Sequence, residues 1–331
     1  MTDVGGNGGR ISGPSFRVPP LVSVMMFHRA RRTPVLILVC LTGLCAASFA
    51  SRGTVPVQDD DPEGPKLHDV AGAVKWIEGK GGNIAVQTGQ DGPLVIDTQL
   101  ARDREVVVAA IQAASGGPVR LLINTHWHAD HTGNNEPFGD KQALIVSHAN
   151  VRARLSGSER IEGRRADDTP PSALPDIVFD DALTLHWNGE RIELEHVGPA
   201  HTDGDSIVWF HGSKVVHLGD LFFAGKFPFI DLASGGSVRG MLTEVSDLAE
   251  RIDGTWTLIP GHGPVCGRAE LIEYRDMLAT SIERVAAAVE AGKDFETLFG
   301  ESPLDDFGAS WGAGYMDPER FLKVLYQDLN R

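Results

Sequence analysis

The chain is predicted to be a mixed α/β protein with a sheet-on-sheet core covered by helices. Three observations support this. Short strand-like runs are bounded by Gly, Asn and Asp punctuation. Three stretches, near 103–115, 237–253 and 267–292, place apolar residues at helical spacing. Apolar residues make up 42 % and charged residues 23 % of 331 positions, which are ordinary globular proportions. Strand runs with interspersed helices favour two packed sheets with helical layers.

The fold begins late. Residues 1–25 are rich in Gly and Pro, carry no hydrophobic period, and are expected to be an extension outside the fold. Residues 26–50 then read as a secretory signal. Arg29, Arg31 and Arg32 form its basic part, Val35 to Leu44 its apolar part, and Ser48-Phe49-Ala50 its small-residue end. The run from Val35 to Ala50 is 16 residues, short of the roughly 20 that a spanning helix needs. Val39 and Leu44 precede the two N-terminal cysteines, Cys40 and Cys45, where a lipoprotein signal needs a small residue. We therefore expect export to the periplasm or beyond, with no lasting membrane insertion.

Removing residues 1–50 takes away five Arg and one Asp, so the balance moves from −15 to 25 − 44 = −19. Such an acidic chain is a poor partner for phosphate backbones, and no nucleic-acid partner is expected. Only Cys266 remains, so no intramolecular disulfide can form. The core, or metal, must hold the fold.

Residues 51–67, Pro- and Asp-rich, read as a linker. Strands are predicted at 70–77, 83–88 and 94–97, a helix over 103–115, and a buried strand at 119–124. A short strand at 144–147 and a helical turn at 149–155 precede a Pro-broken loop, 161–175. Strands follow at 177–187, 191–197, 206–211 and 214–218, then a helix at 237–253, a strand at 255–259 and a helix at 267–292. Residues 293–331 are expected to be a helical tail packed on the domain, with a last helix near 318–329.

The buried strand at 119–124 runs into Thr125-His126-Trp127-His128-Ala129-Asp130-His131. Four side chains able to bind a transition metal fall within six residues. His126 and His128, two apart, point to the same side of an extended stretch. One tetrahedral catalytic ion takes three protein ligands and keeps a position for water, so four neighbouring donors suit two ions better than one. Three further donors, His201, Asp220 and His262, each follow a strand-like run, where a sheet can deliver side chains to one edge.

With these residues in place, the chain resembles the metallo-β-lactamase superfamily over residues 68–292. The H-x-H-x-D-H motif stands intact at 126–131, and the later His, Asp and His come in the family's order as His201, Asp220 and His262. The resemblance implies a four-layer αββα sandwich with a metal site at one edge of its sheets. It implies that His126, His128 and His201 hold one ion, that Asp130, His131 and His262 hold a second, and that Asp220 bridges them. It implies that such a pair of cations would lower the pKa of a water between them to near neutrality and so supply a nucleophile for a carbonyl, with Asp130 orienting the nucleophile or moving a proton. Zinc, two per chain, is the expected ion; imidazole ligands also suit iron and manganese.

The implied activity is hydrolysis of a small-molecule carbonyl compound: a lactam, lactone or thioester, with a β-lactam first. Phosphodiester or sulfate-ester hydrolysis is the alternative within the fold, and a non-catalytic periplasmic metal-binding role the alternative outside it. Two departures bear on substrate. Many β-lactamases of the superfamily carry Cys or Ser where this chain has Asp220, and Phe223 stands where a carboxylate-binding Lys is common, with Lys226 nearby. The apolar run after Asp220, through Phe229 and Ile230, reads equally as a cleft wall or as core. Cys266 reads as structural, and the sequence fixes no oligomeric state.

Overall fold

A computed structural model describes residues 64–157 and 169–331. The extension, the signal, nearly all of the linker and positions 161–168 of the Pro-broken loop lie outside the described residues. Two sheets form the centre. The first has seven strands in sequence order: β1 (Lys66–Ala71), β2 (Val74–Glu78), β3 (Ile84–Gln87), β4 (Leu94–Ile96), β5 (Leu121–Ile123), β6 (Leu144–His148) and β7 (Ile177–Phe179). It is antiparallel through β4 and parallel from β4 to β7. The second runs β12 (Thr257–His262), β11 (Val215–Phe223), β10 (Ser206–Phe210), β9 (Glu190–His196), β8 (Ala182–Trp187). In it only β11 and β12 pair parallel.

The period-2 alternation of side chains sorts the apolar residues into layers. Ile96, Leu121, Ile123, Val208, Phe210 and Ile259 meet between the sheets. Their neighbours Val95 and Leu122 face the other way and pack with Val107 and Ile111 of α1 (Arg104–Ser115), which the short helices α2 (Ala129–Thr132), α3 (Glu136–Gly139) and α4 (Ala149–Leu155) follow in the chain. Ile207, Trp209 and Leu218 face outward against Met241 and Val245 of α5 (Val238–Arg251) and Leu278 of α6 (Arg268–Glu290). The layers are therefore helix, sheet, sheet, helix, the αββα sandwich that the resemblance implied.

The 293–331 segment adds three helices, α7 (Phe295–Gly300), α8 (Asp305–Trp311) and α9 (Pro318–Leu329). Leu298, Leu304, Met316, Phe321 and Leu325 join the same apolar cluster as α5 and α6. Among the described residues, no helix is long and apolar enough to cross a membrane.

Several predicted boundaries are corrected. The strand expected at 70–77 is a hairpin that turns at Gly72, φ 56°, and begins at Lys66, inside the expected linker. The strand expected at 177–187 breaks at the exposed pair Asp180-Asp181, where the chain passes from the first sheet to the second. The run ending at Asp220 does not end there. β11 continues through Phe223, and its pairing with β12 shifts register around Gly219, which sits at φ 52°. Such a bulge re-aims the next side chain, here Asp220.

Candidate metal centre

The seven donors converge from five places. β5 ends just before Asn124-Thr125, and His126 and His128 follow; His128 is the residue that caps the short α2 (Ala129–Thr132), which carries Asp130 and His131. His201 lies in the turn after β9, Asp220 in β11, and His262 ends β12. One donor atom from each of His126, His128, His201 and Asp220 lies within 4.8 Å of the others, and the same holds for Asp130, His131 and His262. Asp220 stands between the groups. Its Oδ2 is 3.4 Å from His201 Nε2 and 3.4 Å from His262 Nε2, and its Oδ1 is 3.1 Å from His131 Nε2. Asp130 Oδ2 is 3.4 Å from His262 Nε2 and 3.9 Å from His131 Nε2.

For four of the five histidines, outward hydrogen bonds fix which nitrogen faces inward. His201 Nδ1 donates to the Phe229 carbonyl at 2.7 Å, and His128 Nε2 donates to Asp231 Oδ2 at 2.9 Å. Thr125 Oγ1 donates to Asp97 Oδ2 at 2.7 Å, so at 3.1 Å it accepts from His126 Nδ1. His131 Nδ1 donates to Asp97 Oδ2 at 2.7 Å. Neutral imidazole has one donor and one acceptor nitrogen. The inward atoms of the first group are therefore three lone pairs: His128 Nδ1 lies 2.8 Å from His201 Nε2 and 3.1 Å from His126 Nε2. Lone pairs so close repel unless a cation lies among them. His131 Nε2 and Asp220 Oδ1 are likewise buried, 3.1 Å from each other and with no other hydrogen-bond partner among the described residues. The residues present fit a pair of metal ions, and the outer partners are of the kind that orients ligating histidines.

Charge follows the same division. Burial and His131 hold His126 well below the usual imidazole range, and burial, against the pull of Asp220, brings His201 down to about 4, so both are neutral donors. Burial would lower His131 and His262 too, but Asp220 and its neighbouring carboxylates outweigh it. They raise His131 well above the usual value and His262 to about 9. Burial opposes ionisation of Asp130 and Asp220, yet His131 and His262 hold Asp130 at about 2, and the surrounding histidines hold Asp220 well below the usual range. Both are carboxylates at neutral pH.

Sequence reasoning singled out all seven donors, and the fold brings all seven together. It missed the residues that orient them. Asp97 is fully buried, sits at φ 62°, and serves both groups, accepting from His131 directly and from Thr125, the partner of His126. Its place at the end of the 94–97 strand was the available signal. Asp231 and the Phe229 carbonyl have no spacing signal at all. Trp127 is buried against Val151 and Leu155, which makes it packing. Cys266 is half-buried and bridges back to Leu258 away from the donors. Gly261 shows how tight the site is: a Cβ there would lie 2.0 Å from Asp220 Oδ1.

Beside the donors opens a cavity of about 410 Å³. His128, Asp130, Asp220 and His262 form its floor, and Phe223, Lys226, Phe227, Phe229, Tyr315 and Met316 its walls. The run after Asp220 is thus both strand and wall. Leu221 to Phe223 complete β11, and the loop beyond lines the cavity.

An αββα sandwich with histidines and carboxylates at one sheet edge defines a class of metal-dependent hydrolases. The profile of the metallo-beta-lactamase superfamily matches residues 77–262, and the chain belongs to that superfamily. It is 28 % identical over 111 residues to the 2,4-dinitroanisole O-demethylase subunit alpha of Nocardioides sp., covering 33 % of this chain and 30 % of that protein. It is 28 % identical over 155 residues to the hydroxyacylglutathione hydrolase of Rhodospirillum rubrum, covering 46 % of this chain and 52 % of that protein. The chain thus spans about a third to a half of the length of these curated relatives. A metallo-beta-lactamase from Pontibacter korlensis shares the fold at a TM-score of 0.54 and 19 % identity, over 65 % of this chain and 99 % of that one.

Proposed function

We propose that the chain is an exported dinuclear zinc hydrolase that opens a carbonyl compound. A lactam, lactone or thioester fits, and a β-lactam is the first candidate. The observation that carries this reading is Asp220, set between two donor groups at the floor of an aromatic-walled cavity. His126, His128 and His201 would hold one ion, Asp130, His131 and His262 the other, with Asp220 shared. When bound, the pair supplies Lewis acidity toward the carbonyl and lowers the pKa of water to near neutrality.

The chain's own residues do the rest. Asp130 stays ionised; its Oδ2 faces His262 and His131, which leaves Oδ1 to orient the attacking water. Phe223, Phe227 and Phe229 exclude bulk water and hold the apolar body of the substrate. Lys226, which makes no ion pair among the described residues, gives the cavity a cation for a substrate carboxylate.

The test is a substrate panel on the purified, zinc-loaded chain: nitrocefin, an acyl-homoserine lactone and a thioester. Turnover of at least one is expected, lost with chelator and reduced about 10²–10⁴-fold in Asp130→Asn. Turnover of bis-p-nitrophenyl phosphate or an alkyl sulfate, with none of the three carbonyl compounds, replaces this reading with ester hydrolysis at phosphorus or sulfur. Export is tested separately: protein recovered from the periplasm should begin at Ser51.

A further inference from the structure

The superfamily match ends at His262, yet the cavity is not closed by the matched residues alone. Tyr315 and Met316 come from the turn between α8 and α9. Met316 is 3 % exposed, whereas Tyr315 is 75 % exposed, the most exposed large apolar side chain among the described residues. Open to water as it is, the ring still has two neighbours. Phe229 meets it edge to face, with centroids 6.1 Å apart and planes at 86°. The Arg320 guanidinium lies 5.4 Å from its ring centroid, and Arg320 Nη1 donates to the Tyr315 carbonyl at 2.8 Å.

The turn that carries Tyr315 is fastened to the cavity wall. Phe227 N donates to the Trp311 carbonyl at 2.9 Å. The Phe227 ring stacks on the fully buried Phe321 of α9, centroids 4.7 Å apart. The Lys226 stem lies across Gly314, where a Cβ would come within 3.2 Å of Lys226 Cδ. The tail therefore packs directly on the cavity wall, and Phe229 joins it to the donor cluster, since its carbonyl also orients His201.

We propose that Tyr315 is a specificity-determining residue. With Met316 and Phe229 it forms an apolar subsite for the acyl or aryl substituent of the substrate, on the solvent side of the reacting carbonyl. This rests on the reading of the cavity as the substrate site. A ligand that covers the exposed face of Tyr315 removes apolar surface from water on both partners. Each methylene that reaches the subsite is worth roughly three- to fourfold in affinity. The ligand is thus an amphiphile, with a carbonyl or carboxylate head at the donors and a chain or ring against Tyr315.

Binding of linear carboxylates, butanoate to decanoate, to the full zinc-loaded chain tests this by calorimetry without any turnover. The wild-type affinity should rise roughly threefold per methylene until the cavity is filled. In Tyr315→Ala the ratio of octanoate to butanoate affinity should fall about tenfold, while Tyr315→Phe, which keeps the ring, should retain it. Because Tyr315 is exposed, both variants should melt like the wild type. Absence of binding, absence of chain-length dependence in the wild type, or an unchanged ratio in Tyr315→Ala overturns the proposal. If the carboxylate series depends on Tyr315 but no carbonyl compound is hydrolysed, the subsite stands and the proposed reaction falls. If hydrolysis occurs and the ratio ignores Tyr315, the reaction stands and the subsite falls.

Discussion

His128 Nε2 lies 2.9 Å from Asp231 Oδ2, and this bond decides which nitrogen of His128 faces the centre. A carboxylate only accepts, so Nε2 carries the proton and Nδ1 is bare. Asp231 is itself held by Ser234 Oγ at 2.5 Å, and its backbone N donates to the His201 carbonyl at 2.9 Å. One residue thus steadies a donor of the first group and the backbone of another. In the proposed two-ion centre, Asp231→Ala should weaken binding of one zinc ion about 10–100-fold and leave the other unchanged. Competition titration with a chromophoric chelator measures both affinities, and equal affinities in variant and wild type would contradict the assignment.

Proton release should accompany metal binding. In the cation-free folded chain His262 is held at about 9 against an ordinary 6.5, and His131 is also raised. The protonated His262 therefore stabilises the cation-free fold fully below pH 6.5, and that contribution is lost as pH rises through about 9. A dication that takes the proton's place must expel it, so zinc affinity should rise with pH over this window. Calorimetry near pH 7.5 in buffers of different ionisation enthalpy should show more than about one proton released per chain. A buffer-independent heat would contradict it.

Gly261→Ala should damage the centre without touching a ligand. The new Cβ would sit 2.0 Å from Asp220 Oδ1 and 2.6 Å from the Gly219 carbonyl carbon, so Asp220 or the β11–β12 pairing must move. A cost of about 1–3 kcal/mol is expected, with lowered zinc content. Gly254→Ala, where nothing lies within 4 Å, is the control and should melt like the wild type. Thermal unfolding with metal analysis reads both.

The donors were legible in the sequence because metal chemistry restricts both residue type and spacing. His126, His128, Asp130 and His131 are close in the chain, and His201, Asp220 and His262 follow runs of strand character. The layers were legible from the period of the apolar residues. The orienting residues were not. Asp231 reaches His128 across 103 positions, through a loop whose path depends on its tertiary neighbours. Tyr315 joins the cavity through tertiary contacts such as the stacking of Phe227 on Phe321 and the meeting of its ring with Phe229, which leave no trace in local spacing. Strand ends failed for a related reason: at Asp180-Asp181 the chain changes sheets without any Gly or Pro to mark it.

Metal content of the purified, zinc-reconstituted chain is the most direct measurement. About two ions per chain are expected, falling to about one in His262→Ala. A wild-type content of one tightly held ion, or a content that His262→Ala leaves unchanged, would contradict a shared two-ion centre.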